Sequence, residues 1–484
     1  MLSWKARDMR KSWLPKVPAS TASCMESKPA TAGAGDSGGF GPRASAMDFN
    51  SWFKCRSVAG YVLAAAGVAA AGFASYFVAS LWGSPRNQFD LKIYYSAVKY
   101  WVGGGNLYSY AQPDAVMGTL GFTYPPFAAT LMTPMTLLSL GGARLFAVCT
   151  IVLAVVLLTW AILAQSADLR GPRGILIVGT VAAFGLTLEP LRENVTYGQV
   201  NTYLVLLVVV DLAVVSRYAP RWGGVGIGLA AAIKITPGIF VLYLIATGRW
   251  RAAGVAVGAA AAATLLSAII APAETWEYFL RTLWDTSRVG FPDSLFNQSI
   301  NGLLARLVSP EVPNKILWIV CAAFILAFGL WRARHLFRLG DDLAGGVIVG
   351  TTGLLISPVS WTHHAVWALP TVIVLVIVIS QRTKGSHPSR GGWLGSIGLA
   401  SLAIAAFGWI VEPSRYVDDL IPDWSSAGWT SQLLACLPTL WMVLVVVFLP
   451  ARSFDRYGEG PSTPRRSAAA TAPSAPRTMP APKP

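Results

Sequence analysis

Charge is what this sequence has least of: only 13% of its 484 residues are Asp, Glu, Lys or Arg, against about a quarter in ordinary soluble domains. With 54% hydrophobic residues, most of the chain cannot face water, which excludes a soluble enzyme or a free binding module. The five cysteines, at 24, 55, 149, 321 and 436, contain no CxxC pair, and the last three fall inside apolar runs. Neither a disulfide framework nor a cysteine zinc site is indicated. The sequence also has no Walker loop and no DxD. The missing DxD matters more, because soluble nucleotide-sugar transferases commonly use it to hold a metal on the donor diphosphate. A transferase built from this chain would therefore use a different donor.

What is present is apolar sequence in lengths that suit a bilayer, where a spanning helix needs roughly 20 residues. Candidate spans are 58–82, 122–140, 143–165, 174–188, 200–217, 223–247, 252–271, 313–332, 343–361, 364–380, 393–411 and 431–450. The prediction is an all-α polytopic membrane protein with about twelve transmembrane helices. Residues 1–57 carry nine Lys or Arg against four Asp or Glu, and residues 451–484 carry six against two. Such flanks suit cytoplasmic ends rather than nucleic acid. Both segments are poor in large apolar residues and read as disordered tails around a membrane domain at 58–450. The long polar leader argues against a cleaved secretory signal.

Counting back from the C-terminal side, the basic links 381–390, 332–338 and 248–251 fall inside, and the links near 274–308, 362–364 and 412–429 fall outside. The runs 122–140 and 223–247 are interrupted by Pro125, Pro126 and Pro134, and by Lys234 and Pro237. If both are re-entrant, the polar segment 189–201 faces outside; if both span once, it faces inside.

After the first span comes NQFDLKIYYSAVKYW, residues 87–101. Phe89, Ile93, Tyr94, Ala97, Tyr100 and Trp101 cluster on its helical wheel, as in a helix lying at the membrane interface. The glycines that follow end it. Asp90 stands in its first turn. There it either favours the positive end of the helix, with Asn87 as cap, or carries chemistry. A second polar group, Glu189, Arg192, Glu193, Asn194, Gln199 and Asn201, is a solvated loop or a substrate-binding edge, with Gln199 and Asn201 a hydrogen-bonding pair. Lys234 lies too deep in its run to reach water easily, and an intramembrane cation by default suggests a functional site. His363 and His364 end a span on the outer side, an interfacial pair or a site for acid–base work or phosphate contact.

The motifs DLKIYYSAVKYWVGGGNLY, GFTYPPFAATLMTP, GQVNTYLVLLVVVDL, IKITPGIF, FNQSINGLL and SPVSWTHH, in this order, resemble glycosyltransferase family 87 over roughly residues 58–450. These are actinobacterial α-1,2-mannosyltransferases of the GT-C membrane class. The resemblance implies a GT-C fold, a polyprenyl phosphate mannose donor and a glycolipid or lipoglycan acceptor among phosphatidylinositol mannosides, lipomannan and lipoarabinomannan. It also implies an active site on the outer face and an essential aspartate in the first outer loop, which is Asp90 here. Its other matching positions are His363 and His364, and Asn297 to Ser299. Candidate substrate-binding residues are then Lys234, His363, His364, Asn297, Gln298, Gln199, Asn201 and Tyr124, with no metal and no cofactor. Single inversion at a β-linked mannosyl phosphate needs one general base, which would be Asp90. The lipid phosphate leaves against positive or hydrogen-bonding groups. A transporter or flippase for a lipid-linked sugar is the alternative, since it too would be polytopic and proline-broken.

Overall fold

The computed structural model describes residues 58–82, 88–114, 118–285, 288, 290–308, 313–383, 429–452 and a few positions between 395 and 402. Asn87, nearly all of the span 393–411, and the two tails apart from residues 451–452 lie outside the described residues.

The described chain is mostly helical. Its first half contains α1 (Val58–Trp82), α2 (Phe89–Val102), α3 (Pro126–Met132), α4 (Leu140–Leu163), α5 (Gly171–Gly185), α6 (Glu189–Tyr197), α7 (Asn201–Val210) and α8 (Ser216–Tyr218). A π-helical turn, Asp211–Val215, joins the last two. Then come α9 (Val225–Ile233), α10 (Ile239–Ala246), α11 (Trp250–Ile270), α12 (Pro272–Leu280) and α13 (Ile300–Val308). The set closes with α14 (Lys315–Arg338), α15 (Asp342–Ile356), α16 (Ala368–Thr383) and α17 (Trp429–Phe448). A short antiparallel hairpin pairs β1 (Gln112–Asp114) with β2 (Gly118–Leu120).

Among the described residues, seven helical segments are long and apolar enough to cross a membrane, and the bent pair α5 and α6, at 79°, would add one more. Side chains cap the starts of α4, α14 and α15. Ser139 accepts from the Gly142 amide at the start of α4, Asn314 caps α14, and Asp341 caps α15, each satisfying backbone donors that the first turn leaves open. Large side chains such as Leu63, Phe73 and Tyr76 on α1 are exposed, as expected where lipid is the solvent.

Both proline-broken runs differ from simple spans. The run 122–140 yields only the seven residues of α3 and a 3-10 turn, Thr133–Leu137. The run 223–247 splits at Lys234, whose backbone is extended (φ −151°, ψ 130°), into α9 and α10. Gly224, before α9, donates to the Asp211 carboxylate at 2.8 Å, whereas Lys234, after it, lies 2.8 Å from Asn201 at the start of α7. The following helix then returns, since Tyr243 and Arg249 both reach Asp342 at the start of α15. So α9 and α10 form a hairpin with Lys234 at its apex.

The same contacts sort the remaining elements. One end of the molecule gathers Asp342, Arg249, and a fully buried ion pair of Asp341 with Arg452 at 2.6 Å that also touches Gln165. The basic links 248–251 and 332–338 sit at this end. The opposite end holds the start of α2, α6, the apex at Lys234 and the Thr362–Trp367 turn. The segment 189–201, whose side was open from sequence, thus lies at the same end as Asp90.

Candidate active site

The site begins with the way α6 stops. Gly198 adopts a left-handed conformation (φ +70°), and a Cβ there would sit 2.6 Å from that of Leu91. Glycine alone gives both the turn and the close approach. Gln88 closes the same junction from α2: its amide donates to the Thr196 carbonyl at 2.8 Å. Asp90 and Gln199 are thereby brought together from sites 109 residues apart.

Gln199 Nε2 donates to Asp90 Oδ2 at 2.5 Å and to the Tyr94 hydroxyl at 3.1 Å. Its Oε1 accepts from the Tyr124 hydroxyl at 3.0 Å and from Asn201 Nδ2 at 3.4 Å, while the Tyr94 and Tyr124 hydroxyls meet at 2.9 Å. A carboxylate only accepts, so the amide nitrogen must face Asp90 and the ring of bonds runs in one direction. Tyr94 completes it. Burial pushes the Tyr94 phenol well above its usual range, so it serves as a neutral donor and acceptor.

The network continues from Asn201 to the apex of the hairpin. Lys234 Nζ donates to Asn201 Oδ1 at 2.8 Å, lies 3.0 Å from His364 Nε2 and sits over the Tyr124 ring at 5.2 Å from its centre. His364 Nδ1 accepts the Trp361 backbone N–H at 3.2 Å. In a neutral imidazole that leaves the proton on Nε2, facing the ammonium. With Lys234 charged, two donors converge there, an arrangement suited to a phosphate oxygen accepting from both.

Six sequence candidates therefore share one network: Asp90, Tyr124, Gln199, Asn201, Lys234 and His364. Gln199 and Asn201 are buried, and their amide groups are taken up by the protein, which suits holding neighbours more than binding substrate. His363 is placed differently. Its carbonyl accepts from Asn194 at 2.7 Å and Asn201 at 3.2 Å, while its ring packs on Tyr197 and lies 3.9 Å from Glu193, which also accepts from Thr362.

Asn297 and Gln298 stand outside the network and are almost wholly buried. Asn297 Oδ1 accepts from the Ser360 amide at 2.9 Å and its Nδ2 donates to the Pro292 carbonyl at 2.8 Å. Gln298 is bound to Ala435 and Thr439 on α17. Both fix the strand-like approach, residues 358–361, to the histidine turn.

Tyr94 is the member the sequence reading missed as a site residue. It was visible as an interfacial aromatic, and the usable signal was its position one helical turn after Asp90, on the same face. A second tie is Tyr108, which donates to the Tyr124 carbonyl at 2.8 Å and is itself held by Arg288. Burial raises the Tyr108 phenol above its ordinary value, keeping that donor in place.

The profile of glycosyltransferase family 87 matches residues 122–358, which include Tyr124, Gln199, Asn201, Lys234, Asn297 and Gln298. A polyprenol-phosphate-mannose-dependent alpha-(1-2)-phosphatidylinositol mannoside mannosyltransferase of Mycobacterium tuberculosis is 32% identical over 397 residues, 78% of this chain and 88% of that protein. A corresponding pentamannoside mannosyltransferase of Mycolicibacterium smegmatis is 34% identical over 317 residues, 64% of this chain and 74% of its own length. No solved structure matches the chain. With that coverage and identity, the chain belongs to glycosyltransferase family 87.

Proposed function

We propose that this protein transfers mannose from a polyprenyl phosphate mannose to a mannosylated phosphatidylinositol or related lipoglycan, forming an α-1,2 linkage with inversion. Family membership supports the donor and the linkage. The observation that carries the mechanism is the chain of hydrogen bonds from Asp90 through Gln199 and Asn201 to Lys234, with His364 Nε2 3.0 Å from the Lys234 ammonium.

Asp90 is the general base. It takes the proton of the attacking sugar hydroxyl as that oxygen bonds to the anomeric carbon and the carbon–phosphate oxygen bond breaks. Gln199 holds one carboxylate oxygen, fixing the direction of proton acceptance. Charge that develops on the departing phosphate is met by the Lys234 ammonium and the His364 Nε2–H. A lipid phosphate is already a fair leaving group, so the step as drawn uses no metal.

The wider architecture proposed here is of GT-C type, with about twelve membrane segments if α9 and α10 are counted separately and 393–411 is included. In it α2 lies along the interface, with Lys92 and Lys99 exposed and Ile93, Tyr94 and Ala97 turned inward. The basic links cluster away from Asp90, which supports an active site on the outer face and cytoplasmic termini.

The test is mannosyl transfer from radiolabelled polyprenyl phosphate mannose, in membranes lacking the protein and complemented with wild type or Asp90→Asn. Restoration by wild type and not by an equally abundant Asp90→Asn is expected. No restoration by wild type overturns the reading.

A further inference from the structure

Between residues 212 and 273 the chain has no Asp or Glu, yet it carries Arg217, Arg221, Lys234, Arg249 and Arg251. Two of these cations are used inside the protein: Lys234 in the site above, and Arg249, which pairs with Asp342 at 2.6 Å and lies against the Tyr243 and Phe337 rings. Arg221 and Arg251 are exposed instead, and among the described residues neither has a carboxylate partner. They stand together, because the Arg251 guanidinium reaches the Arg221 carbonyl at 3.5 Å. Each also has an exposed tryptophan beside it in sequence, Trp222 and Trp250.

Close helix packing holds this pair in place. A Cβ on Gly224 would sit 2.1 Å from the Ala252 carbonyl oxygen, and one on Gly228 would sit 2.2 Å from that of Ala256, so α9 lies directly on the backbone of α11. The turn Pro220–Trp222, just before α9, is thereby set against the start of α11. The first turn of α11 holds no acidic residue, so its positive helix end adds to the charge of the arginines. Asp211, ten residues before Arg221 in sequence, is buried and accepts from the Gly224 and Ile227 amides. Val257, two turns on from Trp250 and on the same face of α11, is exposed as well. An apolar strip therefore leads from the arginines along the lipid-facing side of that helix.

We propose that Arg221 and Arg251 bind the phosphate of an anionic phospholipid in the leaflet at their end of the protein. Guanidinium forks match phosphate oxygens, and tryptophan favours headgroup depth, so the two indoles flank the headgroup while an acyl chain follows Val257. A soluble anion would meet the arginines but leave the indoles and the apolar strip without a role. Basic clusters at the ends of membrane helices attract anionic lipid in this way. The site is separate from the one at Lys234: the ten residues from Gly224 to Lys234 rise about 15 Å along α9. It lies at the foot of the hairpin whose apex carries Lys234, and it does not depend on the reaction proposed above.

Native mass spectrometry of the purified full chain, titrated in neutral detergent with dioleoylphosphatidylglycerol or dioleoylphosphatidylcholine, tests this. Wild type is expected to retain the anionic lipid over the zwitterionic one. Arg221→Gln with Arg251→Gln should weaken retention of the anionic lipid about tenfold and leave the zwitterionic lipid unaffected. Arg170→Gln with Arg173→Gln, a control pair exposed at the start of α5, should change neither. Arg221→Lys with Arg251→Lys, which keeps charge without the fork, should fall between wild type and the Gln pair. Wild type that holds both lipids alike, as it would if acidic residues of the tails covered the arginines, overturns the proposal; so does an equal loss in the control pair, which would reduce the effect to general surface charge. A second arm needs no variant: phosphatidylglycerol with a photoreactive headgroup should label residues 217–222 or 250–257 in wild type, and labelling confined to other segments overturns the site.

Discussion

Gln199 and Asn201, and Asn297 and Gln298, look alike as sequence: each pair is a short polar motif beside a long apolar run. The fold treats them differently. The first pair joins side chain to side chain, linking a carboxylate to an ammonium. The second bonds largely to backbone, with Asn297 holding residue 360 and Gln298 holding α17. Amides buried among apolar helices must find partners in either case. What separates a site from a brace is whether the partners are ionisable groups at a cleft or carbonyls and amides in the interior.

The sharpest way to press that difference is Asp90→Asn, which keeps the shape and an acceptor for Gln199 but removes the base. With transfer measured against wild type at equal abundance, kcat is expected to fall about a thousandfold, with thermal stability little altered. Retained activity would strip the network of its chemical role and make both amide pairs braces.

Lys234→Met comes next. Removing a cation that stabilises the departing phosphate should lower kcat/KM about a hundredfold. Burying a charge at membrane depth is costly, so the melting temperature of this variant should stay level or rise. Loss of activity together with gain of stability marks a residue kept for function, and a fall in both would instead make Lys234 structural.

Gln199→Glu probes the link between the two. A second carboxylate against Asp90 raises the base's pKa by like-charge repulsion, commonly by a unit or more. Asp90 works deprotonated, so the acid limb of the pH–rate profile should move to higher pH by about a unit or more. An unmoved limb with uniformly lower rates would show that Gln199 only packs.

Much of this arrangement was legible because charge and polar groups are scarce in the chain. A lysine in the middle of an apolar run and an aspartate just past the first span stand out, and both proved to be members of one network. Membrane helices were legible from length and hydropathy, and the proline-marked runs announced their breaks. The hairpin was not, because the pattern of a broken helix is the same whether the chain continues or turns back; that depends on Asp211 and Asn201 at the two levels it meets. The separate fates of His363 and His364 were also hidden. Adjacent residues in a 3-10 turn point in different directions, and nothing in the letters HH says which ring faces Lys234.

Asn297→Ala gives the smallest expected loss of chemistry and the largest loss of structure among these variants. It strips a partner from the Ser360 amide in the interior, where a group left unsatisfied costs about 1–3 kcal/mol. Folded yield and melting temperature should fall clearly. The histidine turn would lose the Asn297 tie at residue 360 but keep the bond from the Gln298 amide to the Ser360 carbonyl and those from Asn194 and Asn201 to the His363 carbonyl. Transfer per folded molecule should therefore drop less than in the Asp90, Lys234 or Gln199 variants, with the pH–rate profile in place. A loss of transfer matching Asp90→Asn in protein that melts like wild type would move Asn297 from the brace to the substrate, because only contact with the reacting groups costs rate without costing stability.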